Sequence, residues 1–179
     1  MTADAGVRQA RPEDAAAIAR VQLAGWRTAY ADVLPADTLA ALRLEDFTES
    51  WRVSLEHPPT PRHRALAALA GDAVVGFAAI GPALDEDRDA HRDGELYTLL
   101  VDPDAQGSGH GSRLLAASVD RLRDDGFATA VSWLLTADER LAAFLLGAGW
   151  APDGSRRDLD IRGDGSATVP QVRFHTGLA

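Results

Sequence analysis

The segment Gln106-Gly107-Ser108-Gly109-His110-Gly111 carries the residue types and spacing most directly suited to chemistry. Three alternating glycines strip side chains from a short stretch of backbone, so several N–H groups can converge on one point. Ser112 follows and opens a helical pattern with Leu114, Leu115, Val119 and Leu122 on one face. The unpaired first-turn amides and the positive dipole end of such a helix add to the attraction for an anion, and a pyrophosphate fits the nest. A Walker loop would need GxxxxGK followed by Ser or Thr, and no such Lys is present. A dinucleotide fingerprint would need glycine where Ser112 stands and a strand that opens a βαβ unit. A glycine-rich turn with a purely structural role is the plainer reading, but three alternating glycines cost backbone entropy without evident need.

The elements that must position this loop follow from periodicity. Val7 to Gln9 reads as a short strand, and Arg11-Pro12-Glu13-Asp14 opens a helix that runs to about Tyr30, with Ile18, Val21, Leu23 and Trp26 on roughly one side. A second helical stretch runs from Pro35 through Leu42 and on past Phe47 and Trp51, until the prolines after His57 stop it. Ala65 to Leu69 and Ala73 to Ile80 alternate as two strands of a hairpin turned at Gly71-Asp72. Leu84 to Gly94 is an acidic loop, Glu95 to Val101 a buried strand, Asp102 to Gly111 the glycine-rich loop, and Ser112 to about Asp125 a helix. Ala128 to Leu135 is a strand and Ala137 to Leu146 a short helix, after which Asp158 to Arg162 and Val172 to His175 close the sheet around the turn Gly163 to Ser166.

The chain has 179 residues, 46% hydrophobic and 25% charged, with neither an internal repeat nor a long linker, so residues 1–179 are expected to form one domain. No apolar run reaches the roughly 18 residues of a membrane span, and the N-terminus lacks a basic-then-apolar leader, so no membrane partner and a cytoplasmic location are expected. With no cysteine and five scattered histidines, disulfides, a Cys nucleophile and a metal site are not expected. The formal net charge of −9 repels phosphate backbones and argues against nucleic acid. Asp85, Glu86, Asp87 and Asp89 either draw a cationic ligand or form a solvated loop.

At the glycine-rich loop the sequence resembles the GNAT (Gcn5-related N-acetyltransferase) superfamily. That family's pyrophosphate loop places Gln or Arg, two residues, Gly, one residue, then Gly or Ala, matched here by Gln106, Gly109 and Gly111. Gly94 to Pro103 with Leu114-Leu115 is similar to the family's fourth strand and following helix, and Asp138 to Trp150 to its N-x-R-A-x-x-F-Y-x-x-x-G-F segment. Gly25 to Tyr30 with Leu34-Pro35 is similar to the acceptor-side helices of many bacterial members.

The resemblance implies an α/β (α+β) GNAT fold: a central, mixed, mostly antiparallel twisted sheet of about six or seven strands flanked by about four helices. It implies an acetyl-CoA-dependent N-acetyltransferase acting on a primary amine by direct attack in a ternary complex, with a non-catalytic acyl-CoA-binding sensor or structural module as the alternative. The cofactor-binding positions carried over are Leu99, Leu100, Val101, Gln106, Gly107, Ser108, Gly109, His110, Gly111, Ser112 and Asp138. An attacking alkyl amine, with a pKa of about 10.4, must lose a proton. Glu95 matches the family's general-base position, with His91 and Asp93 as alternatives; Trp26 and Tyr30 either wall the acceptor site or pack in the core.

Two departures stand out. Asp138 replaces an Asn of the family, either adding a charge beside the cofactor or simply capping the next helix. Leu145 replaces the Tyr that protonates the leaving thiolate in many members, leaving Tyr30, Tyr97 or His175 as substitutes. The strand around Val172 to His175, read as an edge, offers a route to a homodimer.

Overall fold

A computed structural model describes residues 5–178. The strands are β1 (Ala5–Gln9), β2 (Arg64–Ala70), β3 (Ala73–Pro82), β4 (Asp93–Val101), β5 (Thr129–Leu135), β6 (Ala151–Asp160) and β7 (Thr168–Gly177). The helices are α1 (Ala15–Ala29), α2 (Ala36–Ala40), α3 (Leu44–Glu56), α4 (His110–Asp124) and α5 (Glu139–Gly147). The strands form one seven-stranded sheet in the order β1-β2-β3-β4-β5-β7-β6. Every neighbouring pair is antiparallel except β4 and β5, which run parallel because α4 carries the chain across between them.

Alternation along the strands sends side chains to two cores. Ala65, Ala67 and Phe77 pack with Ile18 and Val21 of α1 and with Trp51 and Leu55 of α3. Leu66, Ala68, Ala78, Ile80 and Leu96 pack on the other face with Leu114, Leu115 and Leu122 of α4 and Leu145 of α5. A third cluster joins Tyr30 and Leu34 to Ala167 and Val169, so the chain after α1 reaches across to the β6–β7 hairpin.

The helical stretch expected from Pro35 past Trp51 is broken at residues 41–43, where Arg43 is extended. Glu45 and Asp46 then occupy the first turn of a new helix, where they complement its dipole. The break turns α3 against α1: Trp51 Nε1 donates to Gln22 at 2.6 Å, and Phe47 meets Trp26 edge-on with ring centroids 5.3 Å apart. β6 is longer than expected, beginning at Ala151. The expected edge at Val172 to His175 is also corrected: β7 lies between β5 and β6, and β1 and β6 are the edges, so residues 172–175 cannot pair with another chain.

Two features of β4 prepare a site. Its register against β3 shifts between Ala79 and Ile80, leaving Tyr97 as the extra residue of a bulge. Its parallel pairing with β5 is confined to Asp93↔Thr129, Gly94↔Ala130 and Glu95↔Val131, although β4 continues to Val101 and β5 to Leu135. Beyond Glu95 the two strands part.

Close approach fixes Gly76 on β3. A Cβ there would lie 2.9 Å from the Leu100 carbonyl oxygen and 3.2 Å from Leu114. Backbone is one of the colliding groups, so Gly76→Ala is expected to cost about 1–3 kcal/mol and lower Tm by several degrees in a thermal melt. An unchanged Tm would show that β3 and β4 can move apart freely.

Candidate active site

The glycine-rich loop leaves the end of β4 through a short 3-10 turn at Pro103–Ala105, tightened by Asp102, whose carboxylate accepts the Asp104 N–H at 3.1 Å. Gly107 and Gly109 have φ of +79° and +80°, in the left-handed region that side chains avoid, and Gly109 is the residue that enters α4. The Ser108 carbonyl accepts from both Arg113 Nη atoms, at 3.1 and 3.2 Å. Gln106 donates from Nε2 to the Val101 carbonyl at 3.2 Å and accepts from Arg140 of α5, tying the loop to both β4 and α5. Arg113 and Arg140 thus bring two cations to the loop of a chain whose net charge is −9, and neither was singled out from the sequence.

His110 corrects one expectation. Its side chain is buried, 5% exposed, in the first turn of α4, so only its backbone N–H can face an anion. Ser112 lies in the same turn with its side chain exposed. A Cβ added at Gly111 would lie 3.8 Å from both Phe144 and Val101, an ordinary contact. The loop therefore offers backbone N–H groups, the helix end and two arginines, a donor set that fits a pyrophosphate.

Leu99, Leu100 and Val101 are half-buried, on the part of β4 that has left β5. Leu99 and Val101 pack on the α4 side, and Leu100 on the α1 side. There the absent side chain of Gly25 lets α1 approach, since a Cβ would meet Leu100 at 3.1 Å. At the start of α5 the Asp138 carboxylate accepts the Leu141 N–H at 2.9 Å, which makes it the helix cap. Leu145 is fully buried among the α4-side core residues.

Glu95 stands where the two strands part. It is 7% exposed and makes no ion pair among the described residues. Burial raises its carboxyl to about 7, with the Asp85 carboxylate adding to the rise. Arg157, Arg173 and the Leu84 backbone oppose it. Among the alternatives, His91 is exposed, and Asp93 is engaged by the Asp89 N–H at 3.1 Å.

The three substitutes for the missing Tyr separate clearly. Tyr97 donates to the Pro82 carbonyl at 2.6 Å, and burial followed by the Glu95 charge raises its pKa. His175 is paired across the sheet with Val131. Tyr30 is 7% exposed, and its hydroxyl is raised by burial and then by the Asp138 carboxylate. Trp26 meets Tyr30 edge-on at 5.5 Å, and lines a recess of about 350 Å³ between α1 and α3 with Gln22, Phe47 and Trp51. Trp26 and Tyr30 both pack in the third cluster, and Glu95 does not line that recess.

The acidic stretch is not simply solvated. Asp85 and Asp87 both bind Arg173, and Trp133 Nε1 donates to Asp85 at 2.9 Å. Sequence reasoning passed over Arg173, because nothing local distinguishes one Arg on a strand.

Two outcomes follow. Gly109→Val would force a branched side chain to a φ of +80° beside Arg113 Nη1, which lies 3.0 Å from the would-be Cβ. It is expected to weaken acetyl-CoA binding by more than about tenfold while the circular dichroism spectrum stays native. Glu95→Gln tests the buried carboxyl: the folded-state value near 7 exceeds the ordinary 4.5, so the native protein holds that proton more tightly than the unfolded chain. The stabilisation from the protonated form is complete below about 4.5, and is lost as pH rises through 7. The Gln variant should therefore gain on the wild type between those values, reaching about 3 kcal/mol above pH 7 in denaturant melts.

Known proteins share this chain's family and fold. The model of the acetyltransferase (GNAT) family matches residues 27–146. Over 132 residues the chain is 33% identical to the uncharacterized N-acetyltransferase YuaI of Bacillus subtilis (strain 168), covering 72% of this chain and 70% of that protein. It is 49% identical over 61 residues to a mycothiol acetyltransferase of Sanguibacter keddieii, covering 34% of this chain and only 19% of that longer protein. The fold is similar to that of yncA, a putative acetyltransferase from Salmonella typhimurium solved with its cofactor acetyl-CoA, with a TM-score of 0.68 at 15% identity over 98% of this chain and 94% of that one. The parted strands, the glycine-entered helix and the family match together place this chain in the GNAT acetyltransferase family.

Proposed function

We propose that this chain, acting as a single domain over residues 1–179, transfers an acetyl group from acetyl-CoA to a primary amine of a small molecule, protein or peptide. The observation that carries the reading is the separation of β4 from β5 beyond Glu95↔Val131, with an anion nest at one end and a buried carboxyl at the other. Six steps along the strand, about 20 Å, lead from Glu95 to Val101, and the pantetheine arm would run along this stretch.

Acetyl-CoA supplies an acyl group activated as a thioester. In this reading the backbone of Gly107 to Ser112 and the α4 end hold its pyrophosphate, while Leu99, Leu100 and Val101 offer main-chain groups to the arm. Glu95 removes the amine proton, directly or through water; its pKa near 7 makes it ionised yet still basic near neutrality. As the new N–C bond forms and the C–S bond breaks, the leaving thiolate needs a proton. We assign that role to Tyr30, whose buried hydroxyl is protonated at neutral pH and feels the Asp138 carboxylate. Tyr97 is already committed to Pro82. Most of the acceleration would come from holding amine and thioester together, since no covalent intermediate is needed.

Asp85 and Asp87 are satisfied by Arg173, so they give no support to a preference for polycations. The non-catalytic reading gains nothing from Leu145, whose place in the core explains it without reference to catalysis.

Calorimetric titration with acetyl-CoA, with NAD and ATP as controls, followed by thiol release against an amine panel, tests the proposal. Binding of acetyl-CoA alone together with amine-dependent release is expected; binding without release would leave a sensor. In the active enzyme kcat/KM should rise with pH through about 7, as Glu95 ionises, and then level. Glu95→Gln should lower it by about 10²–10⁴-fold and remove that limb. Tyr30→Phe should reduce kcat while leaving acetyl-CoA affinity unchanged, and an unaltered kcat would remove Tyr30 from the mechanism.

A further inference from the structure

Arg173 lies on β7 with its side chain 3% exposed, and all five of its N–H donors are engaged. Nε donates to Asp153 at 2.7 Å; Nη1 donates to Asp85 at 2.9 Å and Asp87 at 2.8 Å; Nη2 donates to Asp87 and, at 2.8 Å, to Ser155. The backbone is shaped to deliver these partners. Opposite Arg173 the register of β6 jumps from Pro152↔Phe174 to Arg156↔Val172, so Asp153, Gly154 and Ser155 bulge out of the ladder. Gly154, at φ +90°, allows the turn that aims Asp153 and Ser155 at the guanidinium.

The other two carboxylates come from the loop between β3 and β4, far away in sequence and immediately ahead of Glu95. Arg88 of that loop donates to the same Asp153 oxygen at 2.6 Å, making a second link to β6. Trp133 of β5, directly across from Arg173, donates to Asp85 and carries the Arg157 guanidinium over its ring at 4.2 Å. Arg157 also approaches Asp85 at 3.5 Å and donates to Gln171 at 2.8 Å. Glu95 is paired with Val131, two residues before Trp133, and so shares this face of the sheet.

We propose that Arg173 is a positioning residue: by gathering Asp85, Asp87 and Asp153 on one guanidinium, it locks the β3–β4 loop across the sheet and fixes the charges that face Glu95. This inference rests on Glu95 being the base. The groups involved are Asp85 from the loop, Arg157 from β6, Arg173 and the neighbouring His175 from β7, and Tyr97 from β4 with His63 stacked on it at 6.1 Å. Asp85 opposes ionisation of Glu95, whereas Arg157 and Arg173 favour it. A buried guanidinium with complete partners is costly to misplace, so the arrangement holds these opposing charges at fixed positions.

The test follows the Glu95 carboxyl directly, by NMR titration of protein labelled with ¹³C at glutamate carboxyls, the signal being assigned by its loss in Glu95→Gln. Asp85→Asn keeps the shape while removing one negative charge, and should move the titration down by at least about 0.5 pH unit. Arg173→Met should move it up and expose the backbone of residues 84–92 to hydrogen exchange. If Arg173→Met does not fold, Asp85→Asn together with Ser155→Ala, which removes one partner of Arg173 and leaves its charge, carries the test. An unmoved Glu95 titration in Asp85→Asn overturns the proposal. Activity is read separately: an acid limb of kcat/KM that follows the carboxyl supports both the network and the base. A carboxyl that moves while the limb stays upholds the network and removes Glu95 as the base.

Discussion

Parallel pairing between β4 and β5 lasts for three residue pairs and then stops, and the site depends on that interruption. A ladder continued to Val101 would consume the main-chain groups of Leu99 to Val101 and close the gap in the sheet. The gap persists because both strands are anchored elsewhere. β4 is held by β3 along its length and bent at the Tyr97 bulge, while β5 is held by β7 from Thr129 to Leu135. Ser132 marks the point of departure, its hydroxyl donating to the Leu96 carbonyl at 2.8 Å where a strand N–H would otherwise serve. The sheet is thus two sheets joined over three residue pairs.

Each end of the gap is provided with a different charge environment. At the Val101 end, left-handed glycines and the beginning of α4 lie beside Arg113 and Arg140. At the Glu95 end, a carboxyl is sealed among Val131, the β3–β4 loop and the Arg173 cluster, and desolvation dominates its behaviour. Phosphate oxygens are stabilised where donors converge, and a proton acceptor becomes more basic where water is excluded. The helices serve this division: α1 crosses close over Leu100 because Gly25 has no side chain, and α5 begins at the Asp138 cap.

The Arg173 cluster shows how far a fold can gather residues that nothing in the chain order connects. Asp85 and Arg173 lie 88 positions apart, and the bulge that presents Asp153 and Ser155 gives up strand pairing to do so. Four carboxylates or hydroxyls around one guanidinium make a rigid joint between the loop that leads into β4 and the far strand pair. Residues 172–175 are consequently interior, occupied on both sides by β5 and β6.

Most strands and helices were legible in the sequence, because their signals are local: alternation in β2 and β3, the Gly71 turn, the prolines after His57, and the leucine face of α4. The glycine-rich loop was legible for the same reason, since φ angles that demand glycine leave their mark at single positions. The break at residues 41–43, the length of β6 and the burial of His110 were not, because each is decided by what packs against the segment rather than by the segment itself. The raised pKa of Glu95 and the fixing of Asp85 and Asp87 by Arg173 exist only in the folded chain. Sequence by itself determined which backbone could bend around an anion; tertiary structure decided which charges meet and how dry they are, because Coulomb interactions and desolvation depend on distance and burial, not on order along the chain.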